Sequence, residues 1–248
     1  MNKQLIEVSL KDNKQLKYFH ILCVVYVAGM LMSITVSARL FPFHIPFTNF
    51  TILLTAGTWT IPISFFIQDI TTEVYGYEKS RHLVQLSVSI LVIYILYLKI
   101  TTLFPIPEVV NIDSSYNIVF NALPRHLFAL ILAIITGNLV NDYLLSKLKI
   151  RLKGKYLPFR FIVSTAIGEA ILQTVGTTIA WFGNLHFTSE ILPFIIFSYL
   201  YKVGFEALAT PINYFICKRL KTAEGIDIYD VNVNYNPFII KQKSDREK

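Results

Sequence analysis

The sequence predicts an all-α, polytopic integral membrane protein with six transmembrane helices and both termini in the cytoplasm. Three observations lead there. Six apolar stretches each approach the roughly 20 residues a helix needs to cross a hydrocarbon core of about 30 Å. The chain is 54% apolar and 14% aromatic, with a mean hydropathy of +0.51, values that suit lipid as the solvent. The basic residues also sort between alternate connections.

In chain order, the predicted spans are residues 18–38, 48–68, 83–104, 126–146, 161–182 and 191–217. Residues 1–17 read as a cytoplasmic segment, 18–221 as the transmembrane domain and 222–248 as a cytoplasmic tail. Lys3, Lys11, Lys14 and Lys17 precede the first span, and Lys79 and Arg81 follow the second. Lys147, Lys149, Arg151, Lys153, Lys155 and Arg160 separate the fourth from the fifth. Lys218, Arg219, Lys221, Lys241, Lys243, Arg246 and Lys248 follow the sixth. The opposite connections hold Arg39, with Lys99 and Arg125 near helix ends. The positive-inside rule then places both termini in the cytoplasm of a cell with the chain in its inner membrane.

The net charge of +7 therefore belongs to helix flanks facing the bilayer. A nucleic-acid partner is disfavoured, because the basic residues lack the interleaved aromatics of a base-stacking surface. No cleavable signal is expected, since the first apolar run is a full span without a small-residue cleavage site behind it. Cys23 and Cys217 fall near cytoplasmic helix ends, where they read as packing residues, not a disulfide.

Proline and small residues punctuate the spans. Pro42 and Pro46 mark the first outer connection, and Pro105, Pro107 and Pro124 the second. Pro62 in the second span and Pro211 in the sixth should free the carbonyls of Thr58 and Ala207, distorting both helices. Gly29, Ser33 and Ser37 form a small-residue stripe on the first, suited to close approach by a helix of this chain or of a partner.

Four spans carry polar pairs at i, i+4 spacing, each on one helix face. They are Asp69 with Glu73, Asn138 with Asp142, Glu169 with Gln173, and Lys202 with Glu206. A charge at mid-bilayer costs at least about 2.5–3.5 kcal/mol if left alone. Two readings follow: an ion-pair cluster that pins helix register, with Lys202 neutralised by Glu206 or Glu169, or a polar pocket near the midplane. The stoichiometry favours the pocket, because Asp142, Glu169 and Glu206 face the single internal Lys202. Asp69 and Glu73 are less telling alone, because carboxylates at a cytoplasmic helix end can sit in water. Trp59 and Trp181 offer faces for a planar ligand.

The sequence lacks a phosphate-binding Gly-x-x-x-x-Gly-Lys-Ser/Thr loop, a His-Glu-x-x-His zinc motif and a Gly-x-Ser-x-Gly nucleophile motif. His20, His44, His82, His126 and His186 have no metal-ligand spacing. The expectation is a protein without enzymatic activity, metal or cofactor.

The run Gln68-Asp69-Ile70-Thr71-Thr72-Glu73-Val74-Tyr75-Gly76-Tyr77 resembles the Asp-x-x-Thr-Glu-x-Tyr-Gly signature of the queuosine precursor transporter family, also described as vitamin uptake transporters. Similar segments follow in the same order: Gly137-Asn138 to Asp142 with Leu148-Lys149, Ser164 to Ala170 around Glu169, and Tyr201-Lys202-Val203 with Thr210-Pro211. Ala223 to Asp230, then Asn236-Pro237-Phe238, is similar to the family's ending. The chain departs from the common pattern at Leu172, where many members carry Asp, and at Asn138, where Gln is common.

The resemblance implies import of a cyano- or aminomethyl-deazaguanine for queuosine salvage in tRNA, with Asp69, Glu73, Asn138, Asp142, Glu169, Gln173, Lys202 and Glu206 as substrate-binding candidates. A carboxylate among them suits the adjacent N–H and amine of a guanine-like edge, and an amide suits its carbonyl. The expected partners are a planar small molecule and the bilayer; a homo-oligomer or a separate energising module stays open. The alternatives are a substrate-capturing subunit of an energy-coupling-factor-type importer and a non-transporting scaffold.

Overall fold

Apolar runs bounded by Gly and Pro become helices in the computed structural model, which describes residues 16–105, 113–231 and 233–238. The helices are α1 (Phe19–Thr35), α2 (Ile61–Tyr75), α3 (Tyr77–Thr101), α4 (Asp113–Ala133), α5 (Leu139–Arg151), α6 (Leu157–Trp181) and α7 (Leu192–Glu224). A π-helical turn, Ile134–Asn138, joins α4 to α5, and a second, Phe187–Ile191, leads into α7. Four rods are long and apolar enough to cross a membrane: Tyr77–Thr101, Ser115–Arg151, Leu157–Trp181 and Phe187–Glu224. α1 is apolar but has 17 residues, and α2 has 15. Large apolar side chains such as Val24, Ile93, Leu200 and Leu208 face outward, as lipid-facing positions do.

The second predicted span needs correction. Its first half is not helical: it holds strand β2 (Thr51–Thr55), which pairs antiparallel with β1 (Leu40–His44) in the preceding connection, and a 3-10 turn at Ala56–Trp59. Pro42 and Pro46 deny this segment helical hydrogen bonds, and the β-branched Thr51, Ile52 and Thr55 suit a strand. β2 alternates, burying Ile52 and Leu54 against Trp181, Ile191 and Phe194. The hairpin thereby closes one end of the bundle.

Pro62 is likewise not a kink. It sits in the first turn of α2, where its missing N–H has no intrahelical partner to lose. Pro124 lies inside α4, which starts earlier than expected, and Pro107 lies outside the described residues. Pro211 lies inside α7, which continues through it from Leu192 to Glu224, beside a Thr210 hydroxyl that donates to the Glu206 carbonyl at 2.6 Å. Cys23 and Cys217 are free thiols. The small-residue stripe of α1 is taken up internally: Gly29 packs on Ser64, and the Ser33 hydroxyl donates to the Gly57 carbonyl at 3.3 Å.

α6 is the central helix, packed on α4, α5 and α7. Its approach to the π turn and α5 depends on two glycines. A Cβ on Gly137 would lie 2.6 Å from the Leu172 backbone nitrogen, and one on Gly168 would lie 2.6 Å from Asn141 Cβ and 3.0 Å from the Gly137 carbonyl. Backbone atoms cannot swing aside, so the crossing exists only with hydrogen at these positions. Gly168→Ala is expected to destabilise the purified protein by about 1–3 kcal/mol, read as a lower melting temperature in detergent; an unchanged melting temperature would show that the helices can separate freely.

At the end opposite the hairpin, the tail beyond α7 crosses α2, α3 and α5. Asp230 accepts the Tyr77 backbone N–H at 3.0 Å on both oxygens and the Ser146 hydroxyl at 2.6 Å. It thereby satisfies a free donor at the start of α3. Arg81 donates to the carbonyls of Asn234 and Asn236 at 2.8 and 2.9 Å. Gly76, between α2 and α3, holds φ at +82° and leaves room for Asp230, a conformation that favours glycine.

Candidate functional site

The polar residues of α2, α5, α6 and α7 converge into three layers along the bundle. Gln173, Glu169 and Thr165 occupy successive turns of one face of α6, with Arg160 near its start. At 1.5 Å per residue they span about 20 Å of depth. The layers follow that axis.

The first layer, nearest the hairpin, is a cleft of about 110 Å³ lined by Ser33, Thr55, Thr58, His126, Trp181, Gln173 and Lys202, among others. The rings of His126 and Trp181 meet edge-on at 4.9 Å. Lys202 Nζ donates to Glu169 Oε2 at 2.9 Å and lies 4.8 Å from the centre of the Phe65 ring. Both charged groups are about 95% buried, so each depends on the other for compensation. The cleft is narrower than the roughly 300–1,000 Å³ of typical small-molecule sites, and a bicyclic ligand would have to widen it.

In the second layer, amides and hydroxyls replace cations. Asp142 accepts Gln68 Nε2 at 2.7 Å, Ser80 Oγ at 2.8 Å and Thr72 Oγ1 at 2.9 Å. Gln68 Oε1 in turn accepts Asn138 Nδ2 at 2.6 Å and the Tyr26 hydroxyl at 3.0 Å. Asp69 accepts Asn141 Nδ2 at 2.7 Å and Thr165 Oγ1 at 3.3 Å. Glu206 accepts Asn213 Nδ2 at 2.9 Å.

The third layer is ionic. Glu73 receives Arg160 through a fork at 2.6 and 3.1 Å, and Lys221 at 2.5 Å, with Lys149 at 3.7 Å. Lys149 and Lys221 also pair with Asp227 of the tail at 2.7 and 2.9 Å. Lys149 donates further to the carbonyls of Glu73 and Ile228 at 2.5 and 2.7 Å. The cluster ties α2, α5, α6, α7 and the tail together and closes the bundle at its basic end.

All eight sequence-predicted residues are buried in this column, in three different settings. Gln173 and Lys202 line the cleft, and Glu169 joins it through Lys202. Asn138, Asp142, Asp69 and Glu206 belong to the middle layer, and Glu73 to the ionic one. The structure decides two points that the sequence leaves open. Asp69 and Glu73 do not reach water, being 1% and 0% exposed, because the tail and Arg160 cover that end. Lys202 pairs with Glu169 on α6, while Glu206 on its own helix bonds to Asn213. Trp181 lines the cleft, but Trp59 packs against Phe41, Phe43 and Tyr201. Leu172, at one of the divergent positions, lines the cleft wall.

Sequence reasoning missed Gln68, Asn141, Thr165 and Asn213, and treated Lys149, Arg160 and Lys221 as exposed flanks. Asn213 lies seven residues beyond Glu206, on the same helix face, which was a usable signal. For Arg160 the signal was absent, because a basic residue between two spans usually belongs to the interface.

Glu73→Gln would leave buried Arg160 without a carboxylate and Lys149 and Lys221 with Asp227 alone. Such a loss costs about 3–5 kcal/mol, so a strongly lowered melting temperature is expected; a near-neutral effect would mean that the cluster is hydrated. Acid should loosen the same end. Burial raises the Asp227 carboxyl, but Lys149 and Lys221 overcome this and hold it below its ordinary 3.8. Its contribution is fully present above the unfolded value and is lost as pH falls through the lower folded one. Melting of the protein from pH 5 to pH 2 should therefore show a smaller acid loss in Asp227→Asn than in the parent.

Residues 55–216 match the family model described as "Putative vitamin uptake transporter". No curated protein and no solved structure matches the chain. The matched segment contains the hairpin's last residue, most of the cleft lining and every carboxylate of the column except Asp227 in the tail, and by it the chain belongs to the vitamin uptake transporter family.

Proposed function

We propose that the chain is a secondary importer of a deazaguanine base, cyano- or aminomethyl-substituted, taken up at the hairpin end and released at the basic end in the cytoplasm. The observation that carries this reading is the asymmetry of the column. A cleft leads from the hairpin to Gln173 and the Lys202–Glu169 pair, while five charged groups seal the opposite end. That is the form of a carrier closed on one side, consistent with family membership.

The chemistry at the cleft floor suits a guanine-like edge. Glu169 offers a carboxylate for a paired N–H and amine, Gln173 an amide for a carbonyl, and Trp181 an apolar face. Lys202 supplies a hydrogen bond to the carbonyl while keeping Glu169 compensated. Release requires the ionic layer to open, which exchanges pairs within the protein for hydration and needs no covalent chemistry.

In cells unable to make the base, expression of the chain should restore queuosine in tRNA from external precursor. Glu169→Gln should lower uptake by about 10–100-fold, the value of one lost charge-assisted hydrogen bond, with membrane insertion intact by surface labelling. No queuosine from the parent chain, with the protein present in the membrane, would overturn the reading.

A further inference from the structure

The middle layer holds more negative charge than the protein itself compensates. Among the described residues, Asp69, Asp142 and Glu206 make no ion pair. Asp142 is solvated by three donors, Asp69 by two and Glu206 by one. Asp69 lies within electrostatic range of both Glu206 and Asp142, so the repulsion adds to the burial cost.

Beside Asp69 and Glu206, one amide oxygen each stands without a donor. Asn141 gives its Nδ2 to Asp69, and Asn213 gives its Nδ2 to Glu206, yet Oδ1 of each is buried and unpartnered. Asn141 is 6% exposed and Asn213 is 0% exposed. Buried amide oxygens rarely go unsatisfied. A proton would relieve one carboxylate and leave at least one amide oxygen unmet. A small metal cation with hard oxygen preference uses all of these groups together. Among the described residues, no three His, Cys, Asp or Glu side chains converge as metal ligands, which disfavours a divalent or transition-metal centre.

We propose that Asp69, Glu206 and the side-chain oxygens of Asn141 and Asn213 bind a monovalent cation, sodium, between α2, α5 and α7. The site lies directly below the cleft, one helical turn of α6 beyond Glu169 at the level of Thr165. Bound sodium draws α2, α5 and α7 together and compensates one of the two carboxylate charges, and its departure lets the column reorganise. As the coupling ion, it rests on the transport reading; as a binding site, it does not.

The test is the melting temperature of the purified full chain in detergent, with sodium chloride exchanged for choline chloride at constant ionic strength. Sodium well above its dissociation constant should raise the melting temperature by about 5 °C or more. Asn213→Ala and Glu206→Gln should each remove most of that shift, and Thr174→Ala, on the exposed face of α6, should keep it. Equal melting in sodium and choline, or an undiminished shift in both site variants, overturns the proposal. A sodium shift in a protein that takes up no deazaguanine leaves the site standing and rejects only the substrate, whereas sodium-independent uptake with no sodium shift rejects the site alone.

Discussion

A carboxylate in a low-dielectric interior has to be compensated, and five of them (Asp69, Glu73, Asp142, Glu169 and Glu206) stand inside this bundle. The rest of the structure can be read as the set of answers. Glu73 is answered by three cations and Glu169 by one, Asp142 by three neutral donors, while Asp69 and Glu206 are answered incompletely. Compensation by cations locks helices together, because removing either partner strands a buried charge. Incomplete compensation leaves room for something that comes and goes. Along α6 the settings alternate: the ionic seal at Arg160, the incompletely compensated layer at Thr165, and the Lys202–Glu169 pair beneath the cleft.

The signature segment of α2 shows how one short run serves several of these layers. Asp69 faces the incompletely compensated layer, and Thr72 solvates Asp142. One turn later Glu73 anchors the ionic seal. The Tyr75 hydroxyl donates to Glu224 at 2.9 Å, and Glu224 also accepts the backbone N–H groups of Lys17 and Tyr18 at 3.1 and 2.8 Å, capping the start of α1. Gly76 then supplies the positive φ that lets the tail's Asp230 reach the start of α3. Eight residues thus join the transport path, its closed end and the ends of two neighbouring helices. The tail is part of that closed end.

Hydropathy and charge made the long helices legible, since α3, α6 and α7 are long and apolar enough to cross a membrane. They misplaced the hairpin. Residues 48–55 are as apolar as a span, and only Pro42, Pro46 and the β-branched residues distinguish strand from helix there. The i, i+4 pairs grouped eight polar residues on helix faces that the bundle buries, because periodicity reports which face is shared. It does not report which helix lies opposite. Hence Lys202 was open to Glu206 or Glu169, and the internal roles of Arg160, Lys149 and Lys221 were invisible: a basic residue near a helix end looks the same whether it faces water or a buried carboxylate.

The cleft floor and the layer beneath it make opposite demands on water, and that difference tests the central claim most directly. With Cys23 and Cys217 replaced by Ala, single cysteines at Gln173 and at Ser80 can be exposed to a small, membrane-impermeant thiol reagent from the hairpin side. The account predicts labelling of Gln173→Cys, slowed by bound substrate, and none of Ser80→Cys, which lies below the cleft at Asp142. Equal labelling of the two, or no labelling of Gln173→Cys from either side of the membrane, would contradict a carrier whose cleft ends at the Lys202–Glu169 pair.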